Sequence, residues 1–118
     1  MKGILFLLAG LSLFTQSEIS TKEKGSALIL EICKKKGGKL YSIDIDDYSN
    51  LFTDSNWKFI KSRDDNFDFL EEKLPKAIDV IYIDSLHEAD HVEKIFYHYY
   101  KKLNLNGILY IDDKIMME

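Results

Sequence analysis

The stretch that most constrains this chain runs from Asp79 to Asp113. Val80-Ile81-Tyr82-Ile83 is an unbroken apolar run ending in Asp84, the pattern of a strand covered on both faces. Behind it Ala89, Val92, Phe96, Tyr99, Tyr100 and Leu103 recur at three- and four-residue intervals. They make one apolar helical stripe, with Glu93, Lys94, His98 and Lys101 mostly off it. Asn106-Gly107 then turns the chain into a second apolar run, Ile108 to Ile111, which closes on Asp112-Asp113. Strand, helix and strand in that order predict two parallel neighbours joined by a right-handed crossover.

The alternation extends upstream. Gly25 to Lys36 reads as a helix with Ala27, Leu28, Leu30 and Ile32 as apolar positions. Lys34, Lys35 and Lys36 complement the dipole at its end, and Gly37-Gly38 stops it. Leu40 to Ile45 alternates as a strand, Asp46 to Phe52 is turn and short helix, and Trp57 to Ile60 is a short strand. Asn66 to Leu74 reads as a helix capped by Asp64, Asp65 or Asn66 and ended by Pro75. The expected architecture is a single α/β domain over residues 1–118, with a doubly wound, largely parallel sheet of about five strands. The Val80 and Ile108 runs should be adjacent and central in it. No internal repeat or linker interrupts the pattern.

The N-terminus allows two readings. Lys2 followed by the apolar run Gly3 to Phe14 has the outline of a secretory signal, and residues 1–17 would then stand apart from the domain. No clear Ala-x-Ala site follows, so the preferred expectation is that Ile4 to Leu8, or Leu11 to Phe14, is a buried strand or helix of the domain. The run is too short for a membrane span. Because the rest of the chain reads as a cytoplasmic enzyme fold, a cytoplasmic location is the expectation, with secretion the alternative if Met1 to Ser17 is a signal peptide.

Charge and cysteine usage remove whole classes of function. Sixteen Lys and Arg against twenty Asp and Glu leave a net charge of −4, which argues against a general nucleic-acid binder. A single cysteine, Cys33, excludes an internal disulfide framework and a multi-cysteine zinc site; its place on a helix marks it as core.

In doubly wound sheets ligands bind beyond the carboxyl ends of the strands. The residues there are mostly acidic: Asp44, Asp46, Asp84, His87, Asp112 and Asp113. Taken singly, each Asp reads as a cap; gathered on one edge, they suit ribose hydroxyls or a hard cation. His87-Glu88-Ala89-Asp90-His91 also fits the His-Glu-x-x-His zinc-hydrolase pattern. That pattern needs both histidines within one helix, whereas His87 follows a strand almost directly. His91 and His98 are therefore expected to be solvated helix residues.

Three segments together resemble the class I S-adenosylmethionine-dependent methyltransferases, especially the metal-dependent O-methyltransferases acting on macrolide sugars. Leu40-Tyr41-Ser42-Ile43-Asp44-Ile45-Asp46 is similar to the family's second strand, Asp79 to His87 to its fourth strand with an Asp-x-x-His ending, and Leu105 to Asp113 to its fifth. Glu18 to Ser26 stands where the family has its glycine loop, with Ser20 and Lys24 in place of two glycines. The resemblance implies a Rossmann-like fold with the family's last two strands missing, as in a fragment, a shortened relative or a domain completed by association. It implies that Glu18, Gly25, Ser26, Asp44, Asp64 and Asp84 bind S-adenosylmethionine, that Asp84, Asp112 and Asp113 hold Mg2+, and that His87 is the general base. The expected reaction is O-methylation of a small-molecule or sugar hydroxyl. A non-catalytic remnant or binding module that lost the glycine loop is the alternative. The expected partners are a small-molecule substrate and a second copy docking on the open sheet edge, with neither nucleic acid nor membrane.

Overall fold

The computed structural model describes residues 4–8, 27–84 and 89–111, with residues 4–8 and Asp84 described by their backbone. The elements, in chain order, are β1 (Ile4–Leu8), α1 (27–36), β2 (Leu40–Asp44), β3 (Trp57–Lys61), α2 (Phe67–Lys73), β4 (Ile78–Asp84), α3 (Ala89–Tyr100) and β5 (Leu103–Ile111). The strands form one sheet in the order β3-β2-β1-β4-β5, and every neighbouring pair is parallel. Ile4–Leu8, one of the two N-terminal placements open in the sequence, is thus the central strand between β2 and β4.

Strand alternation divides the core in two. On one face Leu40 packs with Leu30 and Cys33 of α1, flanked by Trp57, Val80 and Tyr82. On the other, Ile43, Ile60, Ile81 and Ile83 meet Leu70 of α2 and Ile95 and Tyr99 of α3. Helices cover both faces, which is what a doubly wound sheet requires.

Several expectations about which side chains are buried are corrected. In α1 the inward positions are Leu30 and Cys33, whereas Leu28 and Ile32 are exposed. A three-residue step from Leu30 to Cys33 follows the helical period, and Leu28 and Ile32 lie off that line. In α3 the buried positions are His91, Val92, Ile95 and Tyr99; Ala89 and Tyr100 are exposed, and Leu103 belongs to β5. The β4 and β5 runs are adjacent as expected, but β5 is the edge strand rather than a central one. Ile81 and Ile83 are sealed, while Ile108 and Tyr110 remain exposed on the α1 face among the described residues.

The helix ends follow their local sequence. Gly37, at φ 73°, lets Gly38 N–H reach back to Cys33 O at 2.7 Å, so α1 closes with a paired Gly turn. Leu74 is extended ahead of Pro75 and ends α2; Asn66 occupies its N-cap without a side-chain bond.

Candidate functional site

The crossover order places a reversal between β1 and β4: the chain winds outward through β2 and β3, returns to β4 beside β1, and then leaves toward β5. Doubly wound sheets open a crevice for ligands at the carboxyl ends of the strands at such a reversal. Asp84 pairs with Leu8 at that edge. Asp44 follows Ile43, which pairs with Leu7, so it lies in the same row as Leu8 and Asp84. Two strand spacings, about 10 Å, separate the two aspartate backbones. Ile111 pairs with Ile83, and Asp112 is the next residue in the chain.

Asp44 is fully buried, and its Oδ1 accepts the Asp46 N–H at 2.8 Å. The Asp44 carbonyl accepts from Ser62 N–H at 2.9 Å, tying the ends of β2 and β3 together. Two residues on, Asp46 Oδ2 is buried and makes no hydrogen bond among the described residues. Carboxylate oxygens held by a turn beside the reversal suit a ligand that brings hydroxyl donors.

Beyond β3 the arrangement differs from a solvated loop. Asp64 is buried, with Oδ1 2.9 Å from His91 Nε2, and its carbonyl accepts the Tyr99 hydroxyl at 2.9 Å. Neighbouring Asp65 accepts two bonds from Arg63 and one from Lys94. Those cations, Arg63 foremost, hold its carboxyl well below the usual carboxylate range. Asp64, expected near a cofactor base, thus spends one carboxylate oxygen on α3. His91 is not a solvated helix residue but the buried partner of Asp64, and half-buried His98 stacks on Phe67 with centroids 3.8 Å apart. Sequence reading missed the Asp64–His91 pair; its residues stand 27 positions apart, and the one local signal was a histidine on the first turn of the helix after β4.

Of the other sequence-predicted site residues, Glu18, Gly25, Ser26, His87, Asp112 and Asp113 lie outside the described residues, as does the side chain of Asp84. No group of three or more His, Cys, Asp or Glu suited to a metal occurs among the described residues. Cys33 is fully buried, as expected of a core residue, and burial pushes its thiol pKa up. No helix among the described residues is long and apolar enough to cross a membrane.

Compared with known protein families, the chain matches a methyltransferase domain over residues 24–114. Neither a curated protein nor a solved structure matches the chain.

Proposed function

Because the chain belongs to the methyltransferase domain family, we propose that it binds S-adenosylmethionine at the β1/β4 reversal and methylates a hydroxyl of a small molecule or sugar. The observation that carries this reading is Asp44. A buried carboxylate closes β2 in the same row as the end of β4, where the ribose diol of such a cofactor would find an oxygen acceptor. Asp46 Oδ2, buried beside it without a hydrogen bond among the described residues, offers a second acceptor.

S-adenosylmethionine supplies a methyl group on a positively charged sulfur, which leaves as a neutral thioether and needs no acid. The demand on the protein is then alignment of the acceptor oxygen and removal of its proton. His87, three residues past Asp84, is the proposed base. Asp84, Asp112 and Asp113 are the proposed donors for Mg2+; carboxylate oxygens are the right class of ligand for so hard a cation. Glu18, Gly25 and Ser26 are proposed to line the cofactor from the β1–α1 connection. The domain's place of action is proposed to be the cytoplasm.

Calorimetric titration with S-adenosylmethionine tests the reading. Wild type should release heat with a stoichiometry of one. Asp44→Asn should bind at least about tenfold more weakly, as expected when a charged acceptor of two hydroxyls is made neutral. Mg2+ should raise the melting temperature of the cofactor-bound wild type and do so less for Asp84→Asn. No heat from the wild type would overturn the enzyme reading in favour of a binding module that kept the sheet alone.

A further inference from the structure

The two edges of the sheet are built differently. β3 closes one of them with five residues, among which Lys58 and Lys61 are exposed. Lysine on an edge strand guards against pairing with another chain, because pairing would take its charge out of water. β5 closes the other edge with nine residues, Leu103–Ile111, and none of them is charged or a proline. Its first half is guarded in another way: the register break opposite Asp79, with Asn106 at φ 67°, interrupts the ladder between Asn104 and Gly107. From Ile108 to Ile111 the strand is regular again, and no strand lies on its outer side among the described residues.

Side chains of this open segment alternate. Leu109 and Ile111 pack against the core that holds Ile95 and Tyr99 of α3. Ile108 and Tyr110 stand on the α1 face and are 63% and 49% exposed. Their exposure has a simple cause: Leu30 and Cys33 of α1 pack on Leu40 of β2, three strands along the sheet from β5. Tyr110 stacks on Tyr82 of β4 with centroids 5.1 Å apart, which holds its ring at the edge. An apolar pair is thus presented beside backbone that has no neighbouring strand.

We infer that β5 is a dimer interface, pairing antiparallel with β5 of a second copy of this chain about a two-fold axis through Leu109. Residues directly opposite in such a pair share a face, so the axis passes through a residue and not between two. An axis at Ile108 would set Tyr110 against Asn106 of the partner copy, and one at Tyr110 would set Ile108 against its Asp112. The axis at Leu109 sets Ile108 of each copy opposite Tyr110 of the other, an aromatic residue against a β-branched one on both sides. Charge selects a second copy as the occupant. Each copy carries −4, and a two-fold axis brings a segment against itself, so the segment that can meet without repulsion is a neutral one. β5 meets that condition, whereas joining through β3 would bury Lys58 and Lys61. The assembly also closes: two five-stranded sheets become one, with a lysine-bearing β3 at each end. The interface needs neither cofactor nor substrate and stands apart from the methyl-transfer reading.

Sedimentation velocity of the full chain over about a hundredfold dilution range is the test. A dimer in reversible equilibrium with monomer is expected. Sodium chloride should leave it intact or tighten it, because salt screens the repulsion between the two net charges. Ile108→Lys/Tyr110→Lys, at exposed positions, should weaken the dimer at least about tenfold, while the diluted monomer keeps its circular dichroism. Tyr97→Lys/Tyr100→Lys, which charges the exposed aromatics of α3 instead, should dimerise like the wild type. Disulfide trapping reads the register: Ile108→Cys mixed with Tyr110→Cys should cross-link faster than either variant alone, with buried Cys33 silent. Should the lysines unfold the chain, the cysteine pair still decides. A monomer throughout the dilution range, growth beyond a dimer, dissociation by salt, or β5 lysines without effect in a folded chain would each overturn the proposal. Trapping of the mixture no faster than of the single variants would overturn the Leu109 axis.

Discussion

His91 and Asp64 are both almost fully buried, with 2.9 Å between Nε2 and Oδ1. A buried pair of this kind contributes modestly as a pair, but it is costly to break from one side, because a charged or polar group is left in a dry place. His91→Ala should therefore cost about 3 kcal/mol. Asp64→Asn should cost less, since an amide still offers the ring a partner. In a double-mutant cycle the two changes should fall short of additive by more than about 0.5 kcal/mol. Urea unfolding of the four proteins measures this, and strict additivity would mean that the contact carries no energy of its own. The partner of Asp64 was not legible in the sequence. Asp64 and His91 were each visible as candidates, but nothing local links a turn after β3 to the first turn of α3.

Among the elements, β5 shows what a glycine can be for. Ile78 pairs with Leu103 but Val80 with Ile108, so β5 sets the four residues Asn104 to Gly107 against the single residue Asp79 of β4. Asn106 takes φ 67°, and Asn104 Nδ2 bonds to Asp79 Oδ1 at 2.8 Å. A Cβ on Gly107 would stand 2.8 Å from Asn104 O and 2.9 Å from Asp79 O, both backbone atoms that cannot rotate aside. Gly107→Ala should destabilise the fold by about 1–3 kcal/mol through this overpacking. Urea midpoints at constant slope check it, and an unchanged midpoint would show that the β4–β5 register yields freely. Asn106-Gly107 was readable as a turn; the bulge within a continuous strand was not, because its cause is the neighbouring strand.

Across the whole molecule, four groups shape how stability varies with pH. Arg63 keeps Asp65 ionised to low pH, so its contribution is present above the ordinary value of 3.8 and is lost as pH falls below it. His98, with its pKa depressed, takes up a proton more readily in the unfolded chain; stability falls as pH drops from 6.5 toward its lowered value. Tyr99 is pushed up, first by burial and then by the charges of Asp64, Glu71 and Asp65, so stability falls as pH rises above 10.0. The fully buried Cys33 thiol, also pushed up by burial, adds a loss of its own above 9.0, so the melting temperature should form a plateau between about pH 6.5 and 9. Tyr99→Phe should flatten the alkaline limb while lowering the plateau, since its hydroxyl bond to Asp64 O is lost. A melting curve that keeps falling through neutral pH would contradict this balance.

The sequence by itself determined the α/β alternation, the parallel course of β4 and β5, the Gly37-Gly38 stop, and Asp44 and Asp84 as the last residues of β2 and β4. Each rests on short-range chemistry: periodicity, backbone freedom at glycine, and carboxylates placed directly after strands. Tertiary structure decided the rest. It placed Ile4–Leu8 at the centre of the sheet, left β5 at the edge with Ile108 and Tyr110 exposed among the described residues, and buried His91 against Asp64. An apolar run is the same string whether one face or both find cover, and a histidine is the same letter in water or beside a buried carboxylate. Which outcome holds depends on what packs from elsewhere in the chain, and only the assembled sheet supplies that neighbour.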